Sequence, residues 1–215
     1  MPVSKTYNCI FVHIPKTAGT SVEAALGMNG KYDRVGLEPM PNNDRDTEHF
    51  FGKALQHLPA RRLRKHPELP LNFKKAYRFT FVRNPWARLI SALTFRGGFE
   101  QAQQEKSPDF YADEVDKMYR LHQAGEVIPG NHFKLQTWYF QNQKGKSLVD
   151  FIGRFERLEE DFAVVTAAIG SDAKLEHRMP SNHKPYQELF TPTMVDQAAQ
   201  IYAADIAALR YTFDK

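Results

Sequence analysis

Short apolar runs and segments of helical periodicity alternate along this chain. Residues 9–12, 77–82 and 150–155 are runs of strand length and strand composition. Each run is followed by apolar positions at helical spacing, such as Val22 and Leu26 after the first run. Strands that alternate with helices are typical of a parallel sheet with helices on its faces. The pattern therefore predicts an α/β fold.

Capping residues mark the ends of the predicted helices. Small polar residues suit helix starts, proline suits the first helical position, and glycine suits the position just past the end. The predicted starts are Thr20 or Ser21, Asn84 with Pro85, Ser107 with Pro108, and Thr193, and the predicted ends are Gly27, Gly125 and Gly170. Two helices are predicted to bury Tyr111, Val115, Met118 and His122, and Val195, Ala198, Tyr202, Ile206 and Leu209.

The loop after the first run has the composition of an anion-binding loop. Pro15 ends the strand, Gly19 permits close approach of the backbone, and Lys16 adds a positive charge beside a helix N-terminus. The nucleotide P-loop places its lysine directly after a glycine, whereas here Lys16 precedes Gly19 by three positions. The loop is thus related to a P-loop without copying it. An ordinary strand–turn–helix with polar turn residues is the alternative interpretation.

A second strand-to-helix junction carries an arginine followed eight residues later by a serine, Arg83 and Ser91. At about 100° per residue, Asn84, Arg88 and Ser91 share one helix face, where a guanidinium and a hydroxyl can hold one anion. The alternative is that Arg88 is a solvated surface residue.

These two junctions, in this order, resemble sulfotransferases that use 3′-phosphoadenosine 5′-phosphosulfate (PAPS), in the carbohydrate, Golgi-type branch. The resemblance implies a P-loop-like three-layer α/β/α fold with a central, mainly parallel sheet. It also implies that the first loop holds the 5′-phosphosulfate and that Arg83 and Ser91 hold the 3′-phosphate. The basic loop of residues 177–186 resembles a family loop that can cover the nucleotide, which makes Lys184 and Arg178 candidate phosphate contacts. Two cations in a solvated loop are the alternative. The loop positions that match the family are Lys16, Thr17, Ala18, Gly19, Thr20 and Ser21.

The resemblance implies transfer of a sulfuryl group to a hydroxyl acceptor, a glycan or glycoconjugate, without a metal. The reaction needs positive charge at the leaving oxygen, a role for Lys16, and a base for the hydroxyl proton. His49 matches the family's histidine after its second strand and is the chosen base, with Glu48 and His13 as alternatives.

Composition restricts the remaining possibilities. The 215 residues, 42% of them hydrophobic, suffice for one core, so a single domain over residues 1–215 is expected. A net charge of +4 suits anionic ligands and is too small to indicate nucleic acid. The single cysteine, Cys9, excludes an intramolecular disulfide and favours the cytoplasm. No membrane span or signal peptide is expected, unlike the membrane-anchored Golgi relatives. Composition does not indicate the oligomeric state.

Two other functions fit the same motifs. A P-loop kinase using ATP and magnesium is disfavoured because no Gly-Lys-Ser/Thr occurs in the loop, and a non-catalytic nucleotide- or glycan-binding module remains open. Residues 61–66 form the densest basic cluster, which is either a solvated helix face or a contact surface for an anionic acceptor.

Overall fold

The structure, a computed structural model, describes residues 3–28, 57–66, 69–95, 106–175 and 184–214. Within these residues the strands are β1 Val3–Ser4, β2 Cys9–Phe11, β3 Tyr77–Val82 and β4 Phe151–Arg154. The α-helices described are α1 Gly19–Ala25, α2 Ala60–Leu63, α3 Pro85–Thr94, α4 Pro108–Gln123, α5 Thr137–Phe140, α6 Leu158–Ile169, α7 Pro192–Ile201 and α8 Ala203–Leu209. Single 3₁₀ turns span Asn131–Phe133, Phe155–Arg157 and Tyr186–Leu189.

The chain forms two compact units, each assembled from two separate stretches. The first unit comprises Met1–Val82 and Trp138–Arg178, and the second comprises Arg83–Thr137 and Met179–Lys215. The expected single domain over residues 1–215 stays a prediction.

The first unit contains a mainly parallel four-stranded sheet in the order β1-β2-β3-β4. β1 pairs antiparallel with β2, while β2–β3 and β3–β4 are parallel. All three predicted strands are present, which confirms the mixed α/β class. Parallel strands bury both faces and therefore read as continuous apolar runs rather than as alternating patterns.

The core of the first unit lies between the sheet and the helices α1 and α6. It consists of Cys9, Phe11, Val22, Leu26, Met28, Phe79, Phe81, Phe162 and Val165. Gly153 of β4 lacks a side chain because a Cβ there would lie 2.4 Å from the Phe81 ring. Burial raises the pKa of the Cys9 thiol to about 12, so this cysteine stays protonated and unreactive at neutral pH.

The second unit is helical. Every residue of α3 is buried, and the Asn84 carboxamide oxygen accepts from the Trp86 and Ala87 N–H groups, as predicted for its N-cap. The Trp86 indole N–H donates to the Val195 carbonyl on α7, and α4 contacts α7 through a hydrogen bond from Gln197 to Asp116.

Four details of the predicted helices are wrong. The single helix predicted to contain Val195 to Leu209 is two helices, α7 and α8, because the backbone of Tyr202, with φ −106° and ψ 21°, departs from helical geometry. α1 begins at Gly19, with Ala18 at the N-cap, because a left-handed Ala18 starts the helix before Thr20 and Ser21. α7 is capped by Thr191, whose hydroxyl accepts from the Met194 N–H, and not by Thr193. The imidazole of His122 is exposed rather than buried, since it lies at the end of α4 beside a solvated turn.

None of the helices in the described part of the chain is long and apolar enough to cross a membrane.

Candidate functional site

The loop between β2 and α1 has an unusual backbone. Among the described residues outside glycine, positive φ angles occur at Asn8, Lys16, Ala18 and Arg210, so two of the four fall within three residues of this loop. Lys16 has φ 68°, and Ala18 has φ 64° and ψ 18°. Left-handed residues alternating with their neighbours turn successive N–H groups toward one side, which creates an anion-binding concavity. Such strain persists only where the surroundings enforce it.

Several hydrogen bonds within the first unit enforce this backbone. The Val12 N–H donates to the Phe79 carbonyl at 2.8 Å, and the Thr80 hydroxyl donates to the Val12 carbonyl at 2.6 Å. The Thr17 hydroxyl donates to the Ile14 carbonyl at 2.9 Å and is fully buried. The entry to the loop is thereby tied to β3, and the loop is closed on itself at Thr17.

His13 lies beneath the loop and supports it. Its Nδ1 lies 2.8 Å from a carboxylate oxygen of Glu23 on α1, and both side chains are 5% exposed. The ring stacks on Phe11 with centroids 5.3 Å apart, and the His57 imidazole donates to the His13 carbonyl at 3.1 Å. The imidazole therefore joins the strand end to the helix that follows the loop.

Gly19 is a glycine because the His13 ring occupies the space of a side chain. A Cβ at Gly19 would lie 2.0 Å from His13 Nε2, far inside van der Waals contact. Gly19 thus permits a close approach of the backbone, as predicted, and the group that it approaches is the buried His13 imidazole. This contact sets the distance between the loop and the end of the strand.

The structure brings the six predicted loop residues together. Lys16 and Ala18 are partly exposed, Thr17 is buried within the loop, and Gly19, Thr20 and Ser21 open α1. No side chain among the described residues caps α1. The Ser21 N–H donates to the Ala18 carbonyl at 3.0 Å, and the N–H groups of Gly19 and Thr20 precede it. Backbone groups, two hydroxyls and one ammonium are the donors that an oxyanion prefers.

Arg83 belongs to the second unit, where Gln136 holds its backbone. The Arg83 N–H donates to the Gln136 carboxamide oxygen at 2.8 Å, and the Gln136 amide donates back to the Arg83 carbonyl at 2.8 Å. Arg83 is 7% exposed and Ser91, on the helix that follows, is 8% exposed. Both predicted residues thus occupy buried positions at the start and the middle of one junction.

Asp205 anchors the segment that carries Gln136. This fully buried carboxylate accepts from the Gln136 N–H at 2.6 Å, the Thr137 N–H at 2.9 Å and the Thr137 hydroxyl at 2.8 Å. Sequence reasoning missed Gln136 and Asp205 because no spacing or composition signal relates residues that lie 68 or 69 positions apart. It also missed Glu23, although its partner His13 lies only ten positions away.

Arg88 fits neither of its sequence interpretations. It is 1% exposed and so is not a solvated residue. Its two terminal nitrogens donate to the carbonyls of His132 and Lys134, each at 3.0 Å. The Tyr202 hydroxyl donates to the carbonyl between them, Phe133, at 3.2 Å, and burial raises the pKa of Tyr202 well above its ordinary value. Arg88 therefore uses its guanidinium to stabilise the loop of residues 132–134 and not to bind an anion.

The remaining candidates are Lys184, Arg178, His49 and Glu48. Lys184 is exposed and precedes the 3₁₀ turn Tyr186–Leu189, while Arg178, His49 and Glu48 lie outside the described residues.

The basic cluster of residues 61–66 divides into a packed arginine and exposed cations. Arg61 lies 4.2 Å over the Trp138 ring and donates to the Trp138 carbonyl at 2.7 Å, so it is a packing residue. Burial, and then the charge of Arg62, lower the pKa of Arg61. Arg64 and Lys65 are exposed.

Comparison with known proteins agrees with these junctions. A family model described as "Sulfotransferase family" matches residues 1–212. Carbohydrate sulfotransferase 14 of Danio rerio is 24% identical over 213 residues, which cover 89% of this chain and 53% of that protein. An uncharacterized protein of Archaeoglobus fulgidus is 30% identical over 101 residues, covering 47% of this chain and 73% of that protein. The chain thus spans about half the length of the Danio rerio relative.

No solved structure matches the chain significantly. The family match extends over nearly the whole chain and includes both strand-to-helix junctions. The chain therefore belongs to the sulfotransferase family.

Proposed function

We propose that this protein transfers a sulfuryl group from PAPS to a hydroxyl of a carbohydrate. The observation that carries the proposal is the loop of residues 16–21, in which two left-handed residues precede a helix start that no side chain of the described residues caps. Membership of the sulfotransferase family supports the reaction class. The sole cysteine is buried and protonated, which is compatible with a proposed location in the cytoplasm.

The donor has two anionic ends, and each junction supplies donors for one of them. The P-loop-like residues Lys16 and Thr17 through Ser21 bind the 5′-phosphosulfate through backbone N–H groups, hydroxyls and the ammonium group. Arg83 and Ser91 bind the 3′-phosphate, since a guanidinium forms two parallel hydrogen bonds to a phosphate. Lys184, exposed in its loop, adds positive charge toward the nucleotide. No metal is part of this proposal.

Transfer proceeds by in-line displacement at sulfur. The acceptor oxygen attacks, the bond from sulfur to the bridging oxygen breaks, and 3′-phosphoadenosine 5′-phosphate (PAP) leaves. Lys16 neutralises the charge that develops on the bridging oxygen, and His49 takes the hydroxyl proton. Placing the reactants in line supplies much of the rate.

The acceptor is proposed to be a glycan because the Danio rerio relative is named for carbohydrate sulfation. Of the basic cluster, Arg64 and Lys65 are the exposed cations that suit an acidic sugar, whereas Arg61 is engaged by Trp138.

The donor is tested by following thermal unfolding with PAP and, separately, with ATP and magnesium. PAP at 100 times its dissociation constant is expected to add about 2.7 kcal/mol to the unfolding free energy. Arg83→Ala is expected to remove most of that stabilisation, because it removes the guanidinium proposed to bind the 3′-phosphate. Arg120→Ala, which changes an arginine side chain that is 79% exposed on α4, is expected to keep it.

The rival functions give different results in the same experiment. Stabilisation by ATP and magnesium without stabilisation by PAP would contradict the proposal and favour a kinase. PAP binding without sulfuryl transfer to any glycan offered would favour a non-catalytic binding module.

The base is tested by separating turnover from donor binding. His49→Ala is expected to lower kcat by about 10²- to 10⁴-fold and to leave the dissociation constant of PAP unchanged. His13→Ala is expected to weaken PAP binding, since the imidazole supports Gly19 and pairs with Glu23. Near-normal turnover in His49→Ala, with none in His13→Ala, would assign the base to His13, and Glu48→Gln tests the remaining alternative.

A further inference from the structure

Gln136 clamps both polar groups of one residue's backbone. Its carboxamide oxygen accepts from the Arg83 N–H and its amide donates to the Arg83 carbonyl, each at 2.8 Å. The carboxamide of asparagine or glutamine carries a donor and an acceptor side by side on one planar group, so few side chains can make this pair of bonds. Gln136 is fully buried, and water does not compete for either bond. The direction in which the Arg83 side chain leaves the backbone is thereby fixed.

A second set of bonds fixes Gln136 itself. The carboxylate of Asp205 accepts two adjacent N–H groups, from Gln136 and Thr137, and the Thr137 hydroxyl. Three donors satisfy a carboxylate that would otherwise be costly to bury. The result is a continuous hydrogen-bond network that runs from Asp205 on α8, through residues 136 and 137, to the backbone of Arg83.

Packing alone does not explain why the chain buries this hydrogen-bond network. Well-packed apolar side chains of the same volume are often as stabilising as a buried polar network, or more so. Here the network ends on Arg83, whose guanidinium recognises phosphate by a directional fork that tolerates little displacement. A rigid support for the ligand residue reduces the ordering cost of binding.

We propose that Gln136, anchored by Asp205, is a positioning residue that sets the affinity of Arg83 for the 3′-phosphate of the donor. The inference rests on the proposed function of Arg83. It predicts that loss of the two Gln136 hydrogen bonds weakens binding of nucleotides that carry a 3′-phosphate more than it weakens binding of nucleotides that lack one.

The test measures dissociation constants for PAP and adenosine 5′-phosphate by calorimetry, because these ligands differ only in the 3′-phosphate. The readout is the ratio of the two constants. In Gln136→Met, which keeps the length and loses both bonds, the preference for PAP is expected to fall about tenfold while affinity for adenosine 5′-phosphate is retained. Gln136→Glu keeps the acceptor and loses the donor, so a smaller decrease is expected. Gln197→Met, which removes the hydrogen bond to Asp116 in the same unit, serves as the matched control and is expected to leave the ratio unchanged.

Each result has a distinct meaning. An unchanged ratio in both Gln136 variants, or an equal loss of both ligands, overturns the positioning role and leaves Gln136 a structural residue. Should Gln136→Met fail to fold, the ratio in Gln136→Glu decides. Absence of any preference for PAP in the unmodified protein would overturn the proposed function of Arg83, and the positioning role with it, before any variant is made.

Discussion

Replacing Gly19 with alanine is expected to destabilise the protein by about 2–3 kcal/mol and to weaken PAP binding at least about tenfold. The new Cβ would lie 2.0, 2.2 and 2.5 Å from three atoms of the His13 ring. The ring cannot move aside cheaply, because it stacks on Phe11 and its Nδ1 bonds Glu23 at 2.8 Å. The loop must therefore rise from the strand end, which misaligns its N–H groups. Urea unfolding and PAP titration measure the two effects.

Two variants separate this steric effect from a general cost of losing glycine. Gly27→Ala introduces strain at a φ of +64°, yet no described atom lies within 4 Å of its Cβ. It is expected to cost about 1 kcal/mol and to leave PAP binding intact. In a double-mutant cycle, Gly19→Ala is expected to cost much less when His13 is already alanine. An equal cost in both backgrounds would show that the imidazole does not dictate the glycine.

The strand-to-helix junctions were predictable because their signals are local. The apolar run before Pro15 and the Asn84–Pro85 pair specify where a strand ends and a helix begins within a few residues. The same rule, a small polar residue followed by proline, applies to Thr191 and Pro192, and it would have given the correct start of α7 in place of Thr193. The composition of the turn likewise pointed to Lys16 and Gly19, although their spacing differs from that of a P-loop, and their role in binding stays a prediction.

The surroundings of the candidate site residues were not predictable, because they depend on distant parts of the chain. Helical periodicity placed Arg88 on a face with Asn84 and Ser91 but gave no sign that the loop of residues 132–134 would cover it. No local feature distinguishes Asp205 from the many exposed carboxylates on helices. The burial of Arg88 and Asp205 and their hydrogen-bond partners result from tertiary contacts, which only the folded structure shows.

The same long-range covering makes Arg88 a strong stabilising residue. Arg88→Met is expected to lower the unfolding free energy by about 3 kcal/mol, since it removes two charge-assisted hydrogen bonds and leaves the partly buried carbonyls of His132 and Lys134 without that donor. Methionine retains much of the apolar stem, so loss of packing contributes little. Arg88→Lys is expected to be intermediate, because one ammonium cannot reproduce the fork. Urea unfolding monitored by tryptophan fluorescence gives the three values.

Arg120 provides the matched control for this prediction. It pairs with Asp116 one turn earlier at 2.7 Å, but its side chain is 79% exposed. Arg120→Met is therefore expected to cost less than about 0.5 kcal/mol, because water and salt screen the pair. If the two substitutions cost the same, the carbonyls of His132 and Lys134 find other donors and Arg88 does not organise their loop. A large difference would mean that Arg88, for which a solvated surface position was only the alternative interpretation, is one of the residues on which the second unit's fold depends.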